Sequence, residues 1–293
     1  MTTTIMKLSP SGWQKAWAPF AGGIAASLLA GALAAGSASA AADTVRINGT
    51  GAALGGLEAV AEAYMKAHPD SRISIMRPAL GGGGSVKALQ AGALDLAVSA
   101  RPLKEGERAQ GLVLREYAKA PLVIAVAKDN KRIAGLTLAE LADIYAGRTR
   151  TWRDGSPLRL ILRQPSDADT LLLRAISPEM DAAVAAALAR KGMVTAMTDQ
   201  ECADFLEKTP GAVGTSSLAL IVSENRALRP LPINGVEPSV QAYAEGRYPY
   251  AKTLYLVMGP HPSEAARNFA DFLRSPAGHA TLRRNGYWVA EDR

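Results

Sequence analysis

The sequence predicts an α/β protein with mostly parallel sheets flanked by helices. Short apolar runs typical of strands alternate with amphipathic runs typical of helices along almost the whole chain after residue 42. Two of the first strands run directly into glycine-rich turns that begin helices, at 48–52 and 81–85. The chain has one cysteine, Cys202, so no internal disulfide is available and packed layers must hold the fold together.

The first 42 residues have the pattern of an export signal. Lys7 and Lys15 give a positive start, 16–35 is apolar and uncharged, and small residues at 38–42 provide a cleavage site. The alternative is a membrane anchor, which requires about 20 strongly apolar residues, whereas this run is mostly Ala and Gly. We therefore expect a signal peptide over 1–42 and a mature chain in the periplasm.

The charge of the chain is mildly basic. Removal of residues 1–42 takes away two lysines and no acid, so the formal net charge falls from +6 to +4. The basic residues are scattered rather than interleaved with aromatic side chains, and this argues against a nucleic-acid partner. A positive balance does suit the capture of small anions.

Motifs for catalysis or metal binding are missing from the sequence. His68, His261 and His279 are isolated, no HExxH or Cys/His cluster offers a metal site, and there is no GxSxG nucleophile turn. We expect no catalytic residue, no metal and no cofactor, and we do not expect an enzyme.

The elements of the first part follow from apolar periodicity. Strands are predicted at 45–47, 73–76, 94–98 and 122–127. The first helix carries apolar residues on one face and stops at Pro69, and a short second helix is predicted to start at Ser85 and to close at Gly92. The apolar face of the first helix consists of Leu57, Val60, Ala61, Tyr64 and Met65.

Helix-start signals organise the second part. Thr137 and Glu140 form a capping box for a helix that ends at Gly147, and Ser177 with Pro178 begins an Ala-rich helix through Arg190. Strands are predicted at 158–162 and 254–258, and two final helices at 264–274 and 276–284.

The two glycine-rich turns predict an anion pocket. A helix start leaves backbone N–H groups without partners and carries the positive end of the helix dipole, and glycine lets an anion approach closely. Neither turn has a nucleotide-binding signature. The alternative for 81–84 is a flexible linker.

Two strand ends carry further candidate ligands. Ser99 and Arg101 follow one strand, and Arg163, Ser166 and Thr170 follow another just before a helix, so an Arg could clamp an oxyanion in a bidentate manner. The alternatives are a surface ion pair for Arg101 and a capped helix with a solvated Arg163. Asp169, and also Asp167, would then serve as helix caps.

Read together, these segments resemble the phosphate-binding components of ABC importers in the type II periplasmic binding-protein superfamily. The resemblance is carried in family order by seven segments over nearly the whole mature chain. They are 49–52, 83–89, 95–104, 136–147 with Trp152, 163–170, 210–214, and 248–257 with 269–287. It implies two α/β lobes joined by crossover strands, with a ligand held between them and hinge closure on binding.

The resemblance also implies the positions of the lobes, the site and the partners. The first lobe would comprise 43–125 and 251–293, and the second lobe 126–250. Phosphate is the expected ligand, an inner-membrane ABC permease is the expected protein partner, and the protein would be a monomer. The implied ligand-binding residues are Thr50, Gly51, Ala52, Gly83, Gly84, Ser85, Arg101, Arg163, Ser166 and Thr170.

The sequence departs from the family pattern at three places. Gly82 stands where phosphate binders often carry serine, Ala100 stands where the family carries Asp or Ser, and 163–170 has one extra residue and two aspartates. The identity of the ligand is therefore left open by the sequence. An exported sensory module or an enzyme on the same fold, with a ligand other than phosphate, is the alternative function.

Overall fold

The computed structural model describes residues 44–290, so the predicted signal peptide lies outside the described residues. The strands are β1 Thr44–Gly49, β2 Arg72–Ile75, β3 Leu96–Ser99, β4 Val113–Ala127, β5 Arg159–Arg163, β6 Val194–Ala196, β7 Ala212–Ser217, β8 Leu228–Pro230 and β9 Ala251–Met258. The helices are α1 Gly51–Ala67, α2 Gly81–Gln90, α3 Glu105–Arg108, α4 Leu138–Ala146, α5 Ala168–Arg174, α6 Pro178–Ala189, α7 Asp199–Lys208, α8 Leu218–Ser223, α9 Val240–Ala244, α10 Glu264–Leu273 and α11 Pro276–Arg284. Within 44–290, no helix is long and apolar enough to cross a membrane.

The strands form one continuous path of pairs in the order β2-β1-β3-β9-β4-β7-β5-β6, with β8 also paired to β4. The pairs that involve β1 with β2 or β3, and β5 with β6 or β7, are parallel. Every pair that includes β4 or β9 is antiparallel. Strands and helices alternate around this path, which confirms the predicted α/β class.

Strand β4 connects the two ends of this path. Its residues 113–121 pair with β9, and its residues 122–127 pair with β7 and β8. We call the part built on β1–β3 and β9 the first lobe, and the part built on β5–β8 the second lobe. The exact boundaries predicted at residues 125 and 250 stay a prediction.

The hydrophobic core is divided in the same way. In the first lobe, Ile47 of β1, Phe269 of α10 and Tyr287 pack in one buried cluster with α1. In the second lobe, Leu141 of α4 and Met180 of α6 belong to another buried cluster on one face of the strands. Each core buries apolar side chains from both its strands and its helices, so each lobe has its own source of hydrophobic stabilisation.

Several predicted helix ends are confirmed. The amide of Glu140 donates to the Thr137 hydroxyl over 3.1 Å, the amide of Thr137 donates to the Glu140 carboxylate over 2.8 Å, and Gly147 adopts the left-handed conformation after α4. Ser177 caps α6, which begins at Pro178 as expected. These signals are local, and local hydrogen bonds do not depend on the rest of the fold.

The start of α2 differs from the prediction. The helix begins at Gly81 rather than at Ser85, so residues 81–84 are helical and do not form a linker. The Ser85 hydroxyl donates to the carbonyl oxygens of Gly82 and Val98 instead of capping the helix. A Cβ at Gly82 would lie 2.8 Å from the Ser99 hydroxyl, so glycine is required by the close approach of α2 to the end of β3.

Strand β4 is longer than the predicted strand at 122–127, because it begins at Val113. Its first residues include Arg115 and Glu116, which hide the strand pattern in the sequence. These polar side chains are exposed, while the backbone at this end still pairs with β9.

Candidate functional site

A cleft of about 220 Å³ lies between the two lobes. It is formed where β1, α2 and β3 of the first lobe face β5, α5 and the start of α7 in the second lobe. The lining residues are Thr50, Gly51, Ala79, Leu80, Gly81, Gly82, Gly83, Gly84, Ala100, Arg101, Arg163, Gln164, Ser166, Asp167, Ala168, Met197, Thr198 and Asp199. The volume suits a small ligand.

One side of this cleft, which we call the glycine side, is formed by Gly82–Gly84 and Arg101 of the first lobe. The residue before α2 is Leu80, whose side chain offers no acceptor to the first-turn amides. A Cβ at Gly83 would meet only the Arg101 guanidinium, 3.8 Å away. The positive end of this ten-residue helix therefore borders the open cleft, and no side chain caps its first turn.

Arg101 on the glycine side already has a partner. Its guanidinium donates to both carboxylate oxygens of Glu107, over 2.7 and 2.9 Å. These hydrogen bonds from Arg101 lower the pKa of Glu107 to about 2. The pair is therefore charged at neutral pH, and much of the positive charge of Arg101 is neutralised before any ligand arrives.

The other side of the cleft contains a group of charged residues that we call the charge cluster. Its members are Arg163 of β5, Asp167 and Asp169 at the start of α5, Asp199 of α7 and Lys252 of β9. Four of the five side chains are almost completely buried, with exposed fractions of 3% for Arg163, 0% for Asp169, 5% for Asp199 and 1% for Lys252. Buried charges of this kind persist only when they are paired.

Asp199 occupies the centre of the charge cluster. One of its oxygens accepts from the Ala52 amide over 3.2 Å and from the Thr50 hydroxyl over 3.3 Å. The other oxygen lies 2.7 Å from the Lys252 ammonium and 3.2 Å from the Arg163 guanidinium. The Thr50 side chain makes no capping bond to α1, so the carboxylate of Asp199 caps that helix from the second lobe.

Lys252 is the cation that both lobes share. Its ammonium group lies 2.7 Å from Asp169 and 2.7 Å from Asp199, which both belong to the second lobe. Burial alone would lower the pKa of Lys252, but the two carboxylates outweigh it and raise that pKa above its ordinary value. The lysine is therefore charged and links the lobes electrostatically.

The charge cluster carries one more negative charge than positive. Three carboxylates face two cations. Burial and the surplus negative charge raise the pKa of Asp167, although the Asp167 carboxylate accepts a hydrogen bond from Arg163 over 2.7 Å. Burial, followed by repulsion from Asp169, raises the pKa of Asp167 to about 6. Burial also opposes the ionised form of Asp199, yet Lys252 and Arg163 hold the pKa of Asp199 below its ordinary value.

The expected roles of the two aspartates in 163–170 are reversed in part. Asp167 is the cap of α5, and its carboxylate accepts from the amide of Asp169 over 3.0 Å. Asp169 is not the cap, because it lies inside α5 and pairs with Lys252. The sequence predicts that this helix begins at Leu171, whereas α5 begins three residues earlier, at Ala168.

The structure brings most of the sequence-predicted ligand residues to the cleft, but not all. Those that line it are Thr50, Gly51, Gly83, Gly84, Arg101, Arg163 and Ser166. Ala52 is fully buried and its amide donates to Asp199. Ser85 is also fully buried, with its hydroxyl turned to backbone carbonyls, and Thr170 borders a separate small cavity beside Tyr145.

Two residues of the charge cluster, Asp199 and Lys252, did not emerge as candidates from the sequence. Asp199 follows a capping threonine and shares the first turn of α7 with Glu201, so it looks like an ordinary first-turn acid. Lys252 carried a usable signal, because strand alternation places it on the same face as Leu254 and Leu256, which are buried. A lysine on the inward face of a strand needs a buried partner.

The described residues offer little else for chemistry. Between 44 and 290 there is no group of three or more His, Cys, Asp and Glu residues that could hold a metal ion. Cys202 is fully buried, as expected for a small apolar residue on a helix, and burial raises the pKa of its thiol to about 12. A thiol of this kind is not reactive at neutral pH.

Comparisons with known proteins agree with this architecture. A family model described as a PBP superfamily domain matches residues 34–277. The phosphate-binding protein PstS of Bacillus subtilis is 25% identical over 236 residues, which cover 79% of this chain and 75% of that protein. The phosphate-binding protein PstS of Staphylococcus epidermidis is 34% identical over 104 residues, so the match spans only 31% of that relative and 33% of this chain.

The solved structures extend the same likeness. A Clostridium perfringens protein, assigned to phosphate ABC transport and solved with bound phosphate, superposes with a TM-score of 0.71 and 20% identity. The superposition covers 85% of this chain and 100% of that one. At this identity the likeness establishes the fold, and the fold agrees with the two-lobed arrangement around β4.

Proposed function

The chain belongs to the periplasmic binding-protein (PBP) superfamily, and from this membership and the geometry of the cleft we propose that it is a solute-binding protein. It captures phosphate or a related small oxyanion between its two lobes and delivers it to an inner-membrane ABC permease. It performs no catalytic step. The observation that carries the proposal is the start of α2, where four glycines without a side-chain cap line the same cleft as Arg163.

The choice of ligand is supported by chemistry on both walls of the cleft. Backbone amides at a helix start and an Arg guanidinium are the donors that favour oxyanions, and Ser166 adds a hydroxyl. The relatives from Bacillus subtilis and Staphylococcus epidermidis are both named as phosphate-binding proteins. Phosphate is accordingly the first ligand to test.

The periplasm is the proposed location, with residues 1–42 removed as a signal peptide. The positive start, the apolar stretch and the small residues before Ala42 support this assignment. N-terminal sequencing of the protein from a periplasmic extract would identify the cleavage position. A chain that keeps its first 42 residues in the membrane fraction would contradict the proposed location.

The proposed ligand site is tested by filling the glycine side. Gly83→Leu introduces a side chain into the open space next to Arg101 without meeting the backbone. We expect this variant to lose phosphate binding in calorimetry while its melting temperature stays near that of the wild type. Gly259→Leu is the matched control, because its Cβ would also meet open space but lies at the far end of β9.

Unchanged binding by Gly83→Leu would exclude the glycine side as the ligand site. If Gly83→Leu binds phosphate as the wild type does, the ligand site lies elsewhere. A thermal-shift panel of phosphate, sulfate, molybdate, phosphonates and organic acids then identifies the ligand class. A ligand at about 100 times its dissociation constant adds roughly 2.7 kcal/mol to stability, so a true ligand is readily detected.

A second candidate function is an exported sensory module with a ligand other than phosphate. The observation that favours it is the surplus negative charge of the charge cluster, which opposes a dianion. A response to organic acids but to no inorganic oxyanion in the same panel would support this function.

A further inference from the structure

The donors that the family resemblance assigns to the ligand are already engaged. Thr50, Ala52 and Arg163 were expected to hold an oxyanion, and all three donate to or pair with the carboxylate of Asp199. Lys252 adds a fourth donor at 2.7 Å. A carboxylate and an oxyanion present the same kind of acceptor, so they compete for the same four donors.

The packing around Asp199 holds its carboxylate close to the start of α1. A Cβ at Gly51 would lie 2.8 Å from the Cβ of Asp199, which shows how closely the start of α7 approaches the start of α1. The Gln200 side chain also donates to the Gly51 carbonyl over 3.1 Å. An oxyanion that takes the four donors must therefore displace the Asp199 carboxylate.

The charge count shows that Asp199 is the dispensable member of the charge cluster. Without it, Lys252 still lies 2.7 Å from Asp169, and Arg163 still donates to Asp167 over 2.7 Å. Two cations would then face two carboxylates, and no buried charge would be left alone. When Asp199 is present, the charge cluster has a surplus negative charge that repels an incoming anion.

We propose that Asp199 is an internal competitor of the ligand, a carboxylate from the second lobe that occupies the anion position in the first lobe and sets the affinity for oxyanions. This inference rests on the proposed function, because it assigns a specificity-determining residue to the same site. Ligand capture is an exchange in which an external oxyanion replaces Asp199 on Thr50, Ala52, Arg163 and Lys252.

The exchange determines which anions can displace Asp199 and bind. To replace Asp199, a ligand must offer more acceptor oxygens to the four donors than one carboxylate does, because it has to offset the repulsion from Asp167 and Asp169. A tetrahedral oxyanion does so, whereas a simple monocarboxylate offers only what Asp199 already supplies. Asp199 thereby excludes small carboxylates from the site.

The test is calorimetric titration of inorganic phosphate and acetate into four forms of the protein. Asp199→Ala removes both the charge and the volume of the competitor, and Asp199→Asn keeps the shape and removes only the charge. Asp204→Ala is the matched control, because Asp204 is an exposed carboxylate on the same helix. Thermal unfolding confirms that each form is folded.

We expect Asp199→Ala to bind phosphate roughly tenfold or more tightly than the wild type, with Asp199→Asn between the two and Asp204→Ala unchanged. Acetate should bind measurably only to Asp199→Ala. If the wild type binds phosphate and both Asp199 variants bind it equally or more weakly, the inference is overturned and the proposed function stands. If no form binds phosphate, both are overturned.

Discussion

The two sides of the cleft treat their binding groups in opposite ways. On the glycine side, the first-turn amides of α2 have no side-chain cap and face open space. In the charge cluster, five ionisable side chains and the start of α1 are paired with one another across the two lobes. The comparison teaches that a helix start can stay open to an external anion, as at α2, or can be occupied by the chain's own carboxylate, as at α1.

The same physical feature therefore has two outcomes in one molecule. Helix α1 is longer than α2 and also begins next to the cleft, but Asp199 supplies its anion internally. Helix α2 has no such partner. Anion capture by this protein depends on whether one external ligand can accept hydrogen bonds from the charge cluster as well as from the glycine side.

The largest effect is expected from removal of the cation that both lobes share. Lys252→Met leaves three buried carboxylates with Arg163 alone, so we expect a loss of about 3–5 kcal/mol in the free energy of unfolding. Denaturant unfolding measures it. Lys208→Met is the control, because Lys208 is exposed and its pair with Asp204 contributes at most about 1 kcal/mol.

A loss below about 1 kcal/mol for Lys252→Met would contradict the electrostatic link between the lobes, because a surface pair would then explain it equally well. The glycine side should be unaffected by either substitution. Gly83→Leu in the same assay should change stability little, and this contrast separates the two sides of the cleft.

The next largest effect is expected on ligand affinity at Arg163. Arg163→Lys keeps the positive charge but loses the fork of donors, and a charge-assisted hydrogen bond contributes about 1.5–3 kcal/mol. Calorimetry should show phosphate binding weakened by a factor that corresponds to this range. Arg159→Lys, at the exposed start of the same strand, should bind normally. Equal phosphate affinities of the two variants would show that Arg163 does not contact the ligand.

Arg163→Lys is a sharper test than Arg163→Ala. The sequence alone predicts that the alanine variant weakens binding and leaves the fold intact. Because Arg163 is buried among Asp167, Asp169 and Asp199, the alanine variant would also leave carboxylates without a partner and lower stability. Loss of binding in that variant could not be separated from unfolding.

A smaller effect concerns pH and Asp167. Because its pKa is raised to about 6, folding favours its protonated form, and its contribution to stability is fully present below the unfolded pKa and lost as pH rises through 6. The wild type should therefore lose about 1–2 kcal/mol relative to Asp167→Asn between pH 4 and pH 7. The opposite trend expected from Asp199 is common to both proteins and cancels in the difference.

Parallel pH profiles for the wild type and Asp167→Asn would contradict the surplus of negative charge in the charge cluster. The measurement is chemical denaturation at several pH values with both proteins in the same buffers. A profile in which the wild type gains stability with rising pH relative to the variant would assign Asp167 an ordinary ion pair with Arg163.

The smallest effect is expected at Arg101 on the glycine side. Since both terminal nitrogens of Arg101 already donate to Glu107, Arg101→Met should change phosphate affinity by less than about threefold. Glu107→Gln should tighten binding, because it frees the guanidinium. A large loss in Arg101→Met would show that Arg101 leaves Glu107 to contact the ligand.

Much of the fold follows from local signals in the sequence. The capping box at Thr137 and the Ser177–Pro178 start predict α4 and α6, because caps act within one turn of backbone. The apolar face of the first helix is likewise confirmed, since its residue Tyr64 packs against Phe269. The start of α2 was placed at Ser85 instead of Gly81, because the contact of Gly82 with Ser99 at the end of β3 is not visible in the local sequence.

The site was harder to predict than the fold. Arg163 and Thr50 stood out because they follow strand ends next to helix starts. The pairing of Asp199 with Ala52 joins residues separated by 147 positions, and no local pattern reports it. Only the inward position of Lys252 on β9 indicated that a buried carboxylate had to exist.

The central claim is that the chain's own carboxylate joins the lobes at the anion position. Small-angle X-ray scattering of the wild type and Asp199→Ala, each with and without saturating phosphate, tests it most directly. We predict a radius of gyration that phosphate leaves unchanged in the wild type, and a larger radius in Asp199→Ala that falls to the wild-type value with phosphate. A wild-type radius that falls with phosphate, together with an identical response in Asp199→Ala, would contradict the claim.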